Sequence, residues 1–327
     1  MKVLILGPKA RYDAYAPDFL SQLPVESVFC PIDRSPLQAA TDNPDTQALL
    51  VDAIPPVDAR LMDLLPQLKL IHSEGVAFDK IDLAAARARG IDVCNNKGCN
   101  AGAVAEQAIL LMLMLLRRAL EGDRAVRQGR QMEMKERSMV EGITELSACR
   151  IGLVGFGDIA QATAARLAPF GCTLCYYAPH RRSPEEEARW GVTYLPLEEL
   201  AASCDIVSLH CAVTDRTRSM VDEAFLDRMK PTSYLINTSR GELVDNQALR
   251  RALVEGRIAG AGFDTLAPEP VSADHPLVDL PPEIQDRVVF SPHLGGITEG
   301  AFRRSHLHMW RNAERVAAGE KPDNIVN

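Results

Sequence analysis

Residues Ile151 to Ala160 read IGLVGFGDIA, and their reading decides the fold. The apolar run IGLV has the character of a buried strand. It ends at Gly155, a second glycine follows at 157, and the small Ala160 opens a helical pattern that continues to about Phe170. A strand, a Gly155-x-Gly157-x-x-Ala160 turn and a helix, in that order, make a phosphate-binding turn. Gly155 permits the tight turn, Gly157 lets backbone approach a pyrophosphate, and Ala160 lets the helix pack close to the strand. The helix N-terminus adds free N–H groups and the positive end of its dipole.

Working outward, the same alternation continues on both sides. Downstream lie CTLCYY, DIVSLH, SYLIN, IAGAGF and RVVF, with helical segments between several of them. Upstream, KVLIL, VESVF, QALLV, KLIH and IDVC are strand-like. DARLMDLL, LAAARA and a stretch from Arg11 to Leu23 are helix-like. Two alternating series predict an α/β protein built on two doubly wound parallel sheets. A long helix is predicted from about Ala101 to Leu120, and a last one from about Glu299 to Ala318. Two helix boundaries are written in local chemistry. Ser183, Pro184 and Glu186 form a capping box closed at Gly191, and Asp245 caps a helix that stops at Gly256.

The tip of the second strand bears on the coenzyme. An NAD site normally carries Asp or Glu there, to bind the ribose hydroxyls. Here CTLCYY runs into Ala178-Pro179-His180-Arg181-Arg182, with no carboxylate at the tip. A 2′-phosphate would meet two arginines instead of a repelling aspartate, which favours NADP over NAD.

Composition bounds the function. The chain has 327 residues, enough for two domains, with 46% hydrophobic and 24% charged residues. A net charge of −8 without a basic stripe argues against nucleic acid or an anionic membrane as partner. The opening MKVLILGPKA has too short an apolar run for a signal peptide, and AILLMLMLL (Ala108–Leu116) is too short for a bilayer span of about 20 residues. A cytoplasmic protein is expected. Cys172 and Cys175 fall on opposite faces of a strand, and His306 and His308 diverge on a helix. Neither pair suggests a metal, and the eight cysteines read as reduced thiols.

INTSRGELVD, GFDTLAPEP, FSPHLGG, VGFGDIA and NKGCNAGAVAEQ together resemble the D-isomer-specific 2-hydroxyacid dehydrogenase family, over essentially the whole chain. The resemblance implies two Rossmann-like domains with the active site in the cleft between them. Residues 1–100 plus 295–327 would be the discontinuous substrate domain, and residues 101–294 the dinucleotide domain. It implies hydride transfer between NAD(P)H and a small 2-oxo acid, giving a D-2-hydroxy acid, and commonly a homodimer. Arg240 matches the substrate-binding arginine, whose planar fork can hold carboxylate and carbonyl oxygens together. His293 matches the general acid/base and Glu269 the carboxylate that fixes its ring and stabilises its cation. Gly155, Gly157, Asp158 and Ile159 match the pyrophosphate turn, and Cys211 would lie near the adenosine. Thr238 and Asp264 match contacts to the nicotinamide carboxamide, and Val104 its ring face. The backbone of Gly75, Val76 and Ala77 would receive the substrate carboxylate.

This chain departs from the family pattern at Glu74, an acid beside that carboxylate loop, where Ala77 also replaces a common glycine. The expectation is that Glu74 either points away or helps select the substrate. Glyoxylate, hydroxypyruvate, pyruvate and longer 2-oxo acids share the carboxylate and carbonyl that these motifs read. Two alternatives accompany the main reading: a phosphoglycerate dehydrogenase-type enzyme, and a nucleotide-sensing corepressor that keeps the fold and binds peptides.

Overall fold

The computed structural model describes residues 1–31, 34–52 and 55–327. They form two compact units, Met1–Asn100 with Ile297–Asn327, and Ala101–Gly296. The later boundary falls after Gly296 because the amides of Leu294 and Gly295 are bound to Asp264 of the second unit.

The first unit is a sheet of five parallel strands: β1 (Lys2–Leu6), β2 (Glu26–Phe29), β3 (Ala48–Val51), β4 (Leu70–Ser73) and β5 (Asp92–Cys94). Their order is β2-β1-β3-β4-β5. β1 and β3 are almost wholly apolar because both of their faces are covered, and the two polar residues of β4, His72 and Ser73, are buried and hydrogen-bonded. Leu4, Leu49 and Ile71 pack on one side. Val3, Ile5, Leu50 and Leu70 pack on the other with Met309 and Trp310 of the helix Glu299–Ala317. Each such side chain contributes roughly 1.5–3 kcal/mol on burial. The helix expected over Arg11–Leu23 is broken. It spans Lys9–Ala14, and a 3₁₀ turn follows at Asp18–Gln22. Pro17 supplies no N–H and turns Ala16 away from helical angles.

The second unit has seven parallel strands: β6 (Arg150–Val154), β7 (Thr173–Tyr177), β8 (Val192–Tyr194), β9 (Ile206–Leu209), β10 (Tyr234–Asn237), β11 (Gly260–Phe263) and β12 (Val288–Phe290). The order is β12-β11-β10-β9-β6-β7-β8. The chain reverses its direction of travel across the sheet between β6 and β9. Such a switch point leaves a crevice at the carboxyl ends of the strands, where α/β sheets bind ligands. The helix Ala101–Leu116 lies against this sheet. Glycine in β11 makes that close approach possible, since a Cβ on Gly262 would sit 3.0 Å from that of Leu111.

That helix stops at Leu116 instead of Leu120, because Arg118 takes a left-handed φ of 49°. Two further helices, Ala119–Arg127 and Gln131–Glu141, were not expected. The second buries none of its residues, so no apolar stripe marks it in the sequence. Ser183 and Asp245 cap their helices as read. No helix among the described residues is long and apolar enough to cross a membrane, and no group of three or more His, Cys, Asp or Glu among them could hold a metal ion.

Candidate active site

The strand ends of the second unit carry its chemistry. β10 finishes at Asn237, which is fully buried and shapes the next three residues. Its Nδ2 donates to Arg240 O at 2.9 Å, and its Oδ1 accepts from Ser239 N at 3.0 Å. Arg240 leaves this turn in extended backbone. Its Nη1 donates to Ser239 O at 2.8 Å, and it forms no ion pair among the described residues. The guanidinium therefore keeps donors available for a carboxylate. Gly241 has no room for a side chain, since a Cβ there would lie 2.1 Å from Leu266 C. The Arg240 segment and the loop leading to Glu269 are in direct backbone contact for that reason.

Glu269 Oε2 accepts from His293 Nδ1 at 3.0 Å, and both side chains are exposed. With Nδ1–H directed at the carboxylate, Nε2 is the nitrogen left to carry a mobile proton. His293 sits at φ 57°, a region that non-glycine residues seldom occupy. Asp264 holds it there. The Asp264 carbonyl accepts from His293 N at 2.8 Å. Its Oδ1 accepts from Ser291 Oγ at 2.6 Å and Leu294 N at 2.9 Å, and its Oδ2 from Gly295 N at 2.8 Å. The resemblance assigned Asp264 to the nicotinamide. The structure gives both of its oxygens to the loop that carries His293.

The phosphate turn lies at the switch point. Gly155 adopts φ 93°, and a Cβ there would be 2.8 Å from the carbonyl of His210. A Cβ on Gly157 would meet nothing within 4 Å, so the backbone is bare on that face. The ten-residue helix Asp158–Leu167 starts here without a side-chain cap, leaving its first amides to a ligand. Thr238 Oγ1 is buried with no partner among the described residues, as suits a group that meets a polar ligand. Val104 is buried on the first turn of its helix. These features fit a bound dinucleotide.

The basic tip is less free than its sequence suggests. Arg181 is held in a fork by Glu187 at 2.8 and 2.9 Å and lies over the Tyr194 ring. Arg182 Nη2 donates to Phe156 O, inside the phosphate turn, at 2.9 Å, and its Nε is buried without a partner. His180 is exposed. The expected pair of open arginines is therefore reduced to one guanidinium leaning on the turn. Burial pushes the half-buried Cys211 thiol up to about 11, so it stays protonated.

His210 was missed by the sequence reading. Its Nε2 lies 2.9 Å from Ser208 Oγ, its Nδ1 is buried with no partner among the described residues, and burial pushes the imidazole down to about 4. Its position directly after a strand at the switch point was the available signal.

In the first unit, the loop after β4 has its carbonyls engaged and two amides open. Asn95 Nδ2 donates to Val76 O at 2.7 Å, Asn96 N to Gly75 O at 2.9 Å and Ser73 Oγ to Ala77 O at 2.6 Å. Gly75 N points to Ser73 Oγ at 3.3 Å, whereas the amides of Val76 and Ala77 meet no acceptor among the described residues. Glu74 is buried and bound by Arg11 and His306, which takes it out of any direct role in selecting a substrate.

Comparison with known proteins agrees with this arrangement. Residues 109–295 match the family model for the D-isomer specific 2-hydroxyacid dehydrogenase, NAD binding domain. A glyoxylate reductase of Thermofilum pendens is 39% identical over 283 residues, 86% of this chain and 82% of that one. A D-3-phosphoglycerate dehydrogenase of Mycobacterium tuberculosis is 36% identical over 295 residues, 90% of this chain but 53% of that longer one. The apo structure of Rhodotorula graminis D-mandelate dehydrogenase superposes with a TM-score of 0.86 at 27% identity, covering 100% of this chain and 97% of that one. The chain belongs to the D-isomer specific 2-hydroxyacid dehydrogenase family. It is an NAD(P)-dependent oxidoreductase acting on the CH–OH group of 2-hydroxy acids, and so on the corresponding 2-oxo acids.

Proposed function

We propose that this enzyme reduces a small 2-oxo acid of the glyoxylate or hydroxypyruvate type, or a longer one, to its D-2-hydroxy acid, with NADPH preferred to NADH. The observation that carries the reading is the 3.0 Å His293–Glu269 pair in the same unit as Arg240, which has no carboxylate partner among the described residues. Arg240 holds the substrate carboxylate and carbonyl oxygen with its planar fork. His293 donates from Nε2 to the oxygen that becomes an alkoxide, and Glu269 keeps the ring in that orientation. When bound, the reduced coenzyme would supply the hydride for the carbonyl carbon. The bare turn at Gly157 and the following helix N-terminus receive its pyrophosphate through the amides of Asp158 and Ile159. Thr238 Oγ1 meets its carboxamide, and Val104 and Cys211 line its binding surface. The first unit acts as the substrate domain, offering the amides of Val76 and Ala77 to a carboxylate, and the second as the dinucleotide domain.

Support for NADPH is the absence of a carboxylate at the tip of β7 and the nearness of Arg182 to the phosphate turn. Arg181 joins a 2′-phosphate only by exchanging Glu187 for it. A homodimer is supported by the exposed apolar residues Val126, Met132, Met139 and Val140, which lie on two successive helices. Light scattering that returned the mass of a single chain would remove it. The eight thiols fit a reducing, cytoplasmic setting, which cell fractionation checks.

The test follows the absorbance of NADPH and, separately, NADH with glyoxylate, hydroxypyruvate, pyruvate, phenylglyoxylate and 3-phosphohydroxypyruvate. Faster oxidation of NADPH with the unphosphorylated acids is expected. Faster oxidation of NADH overturns the coenzyme preference alone. Preference for the phosphorylated acid moves the enzyme to the phosphoglycerate dehydrogenase type. No oxidation with any acid overturns the substrate reading.

A further inference from the structure

Glu74 places a negative charge in the very loop that offers amides to an anion. Its surroundings explain how the two coexist. The residue is 6% exposed, and its carboxylate is closed in from two sides. Arg11 Nε donates to Oε1 at 2.8 Å and its Nη2 to Oε2, while His306 Nε2 lies 2.8 Å from Oε1. Arg11 is itself held by Asp52 at 2.7 Å. His306 is fully buried on the helix Glu299–Ala317 and packs edge-on against Tyr12, with centroids 4.8 Å apart. A buried carboxylate is tolerated only with such partners, so its side chain has one place to go. That pins the backbone of the loop at its first residue.

Asn96 pins the other side of the same peptides. Its Nδ2 donates to Glu74 O at 2.8 Å and more weakly to Ser73 O at 3.3 Å. Its Oδ1 is in turn 2.9 Å from His308 Nδ1, on the same helix as His306. With the Asn95 and Ser73 bonds already described, every carbonyl from Ser73 to Ala77 has a donor. A peptide is planar and trans, so the Asn96 main-chain N–H on Gly75 O turns the Val76 N–H to the other side, and Asn95 Nδ2 on Val76 O does the same for Ala77, while the Asn96 side chain anchors that main-chain donor to the Glu74 peptide. Successive amides left open in this way form a concavity for an anion.

We propose that Glu74, clamped by Arg11 and His306, and Asn96, braced by His308, are positioning residues that aim the Val76 and Ala77 amides at the substrate carboxylate. The charge of Glu74 serves as the tether of the loop and touches no substrate. This rests on the reading that the loop binds that carboxylate, and the experiment separates the two.

Glu74→Gln, Asn96→Ala and Val76→Pro are compared with the wild-type enzyme. KM for glyoxylate, kcat, coenzyme affinity by fluorescence titration and the thermal midpoint are measured for each. Glu74→Gln removes the charge at constant shape, and Asn96→Ala removes the brace. Both are expected to raise KM on the order of tenfold, the worth of one charge-assisted hydrogen bond. Coenzyme affinity should stay unchanged and kcat should fall much less than KM rises. Val76→Pro deletes one of the two amides and tests the underlying reading. An unchanged KM in Val76→Pro overturns that reading and the inference with it. A raised KM in Val76→Pro, with wild-type KM in the other two, leaves the reading intact and overturns the positioning role. Parallel loss of coenzyme affinity and kcat in Glu74→Gln overturns it too, since general damage would explain everything. If Glu74→Gln fails to fold, Asn96→Ala decides alone.

Discussion

At the scale of single residues, the proposed chemistry depends on how little freedom His293 has. Its ring is fixed by Glu269 and its backbone by Asp264, which accepts from Ser291, Leu294 and Gly295 around it. Replacing His293 with Ala should lower turnover about 10²–10⁴-fold, the usual contribution of a positioned acid, while coenzyme titration stays near wild type. Asp264→Asn is the sharper experiment. The amide turns a donor toward Leu294 N or Gly295 N, where an acceptor is required, and should destabilise the fold by about 1–3 kcal/mol. Turnover should drop with it, because the loop can relax out of its left-handed turn. Urea denaturation and kcat on the same preparation check this, and wild-type values for both would remove Asp264 from its holding role. Arg240, Glu269 and His293 were visible in the sequence because each stands in a compact motif. The partners of Asp264 and Glu74 were not. Ser291 is 27 positions from Asp264, and His306 is 232 from Glu74, distances over which local pattern carries no information.

At the scale of elements, the phosphate turn contains two glycines with different duties. Gly155 has a positive φ and faces the His210 carbonyl, whereas the Cβ position of Gly157 is empty. Gly155→Ala should therefore lower both the thermal midpoint and coenzyme affinity. Gly157→Ala should keep the midpoint and weaken coenzyme affinity, because the methyl fills space that a pyrophosphate needs. Differential scanning and coenzyme titration of the pair read this out, and equal thermal losses in both would refute the division. Strands, capping boxes and the G-x-G-x-x-A turn were legible because their signals lie within a few residues. The helices Ala119–Arg127 and Gln131–Glu141 escaped because the latter has no buried face and the former buries only Ala125. Pro17 ends the first helix early, by supplying no N–H and restricting the residue before it.

At the scale of the whole molecule, each unit buries a neutral histidine under its sheet end. His72 is completely buried, and desolvation pushes it down to about 3 from 6.5. Its Nδ1 faces Ser73 O and its Nε2 faces the Asn312 amide, a set that suits only the neutral ring. His210 in the second unit is pushed down to about 4 for the same reason. Unfolding restores ordinary imidazoles, so between those values and 6.5 the unfolded chain binds more protons than the folded one. Stability from this source is complete above about pH 6.5 and declines as the pH falls toward 4 and then 3. Urea midpoints across that range should fall on acidification, and a His72→Gln variant should show a shallower fall. An equally steep fall in that variant would assign the acid sensitivity elsewhere.

By itself the sequence determined the α/β class, the parallel strand series, the dinucleotide turn and the three residues proposed for catalysis. The first three rest on short-range regularities: alternation, glycine spacing and helix caps that neighbouring residues impose on one another; the three residues came from the motifs that carry the family resemblance. Only the tertiary structure decided what the charged groups do. It turned Asp264 inward to hold the His293 loop, and joined Glu74 to Arg11 and His306. Among the described residues it left Arg240 without a carboxylate. The physical reason is that a buried charge must find its partner wherever the fold brings one within hydrogen-bond reach. That partner is chosen by packing, across distances in sequence that no motif spans.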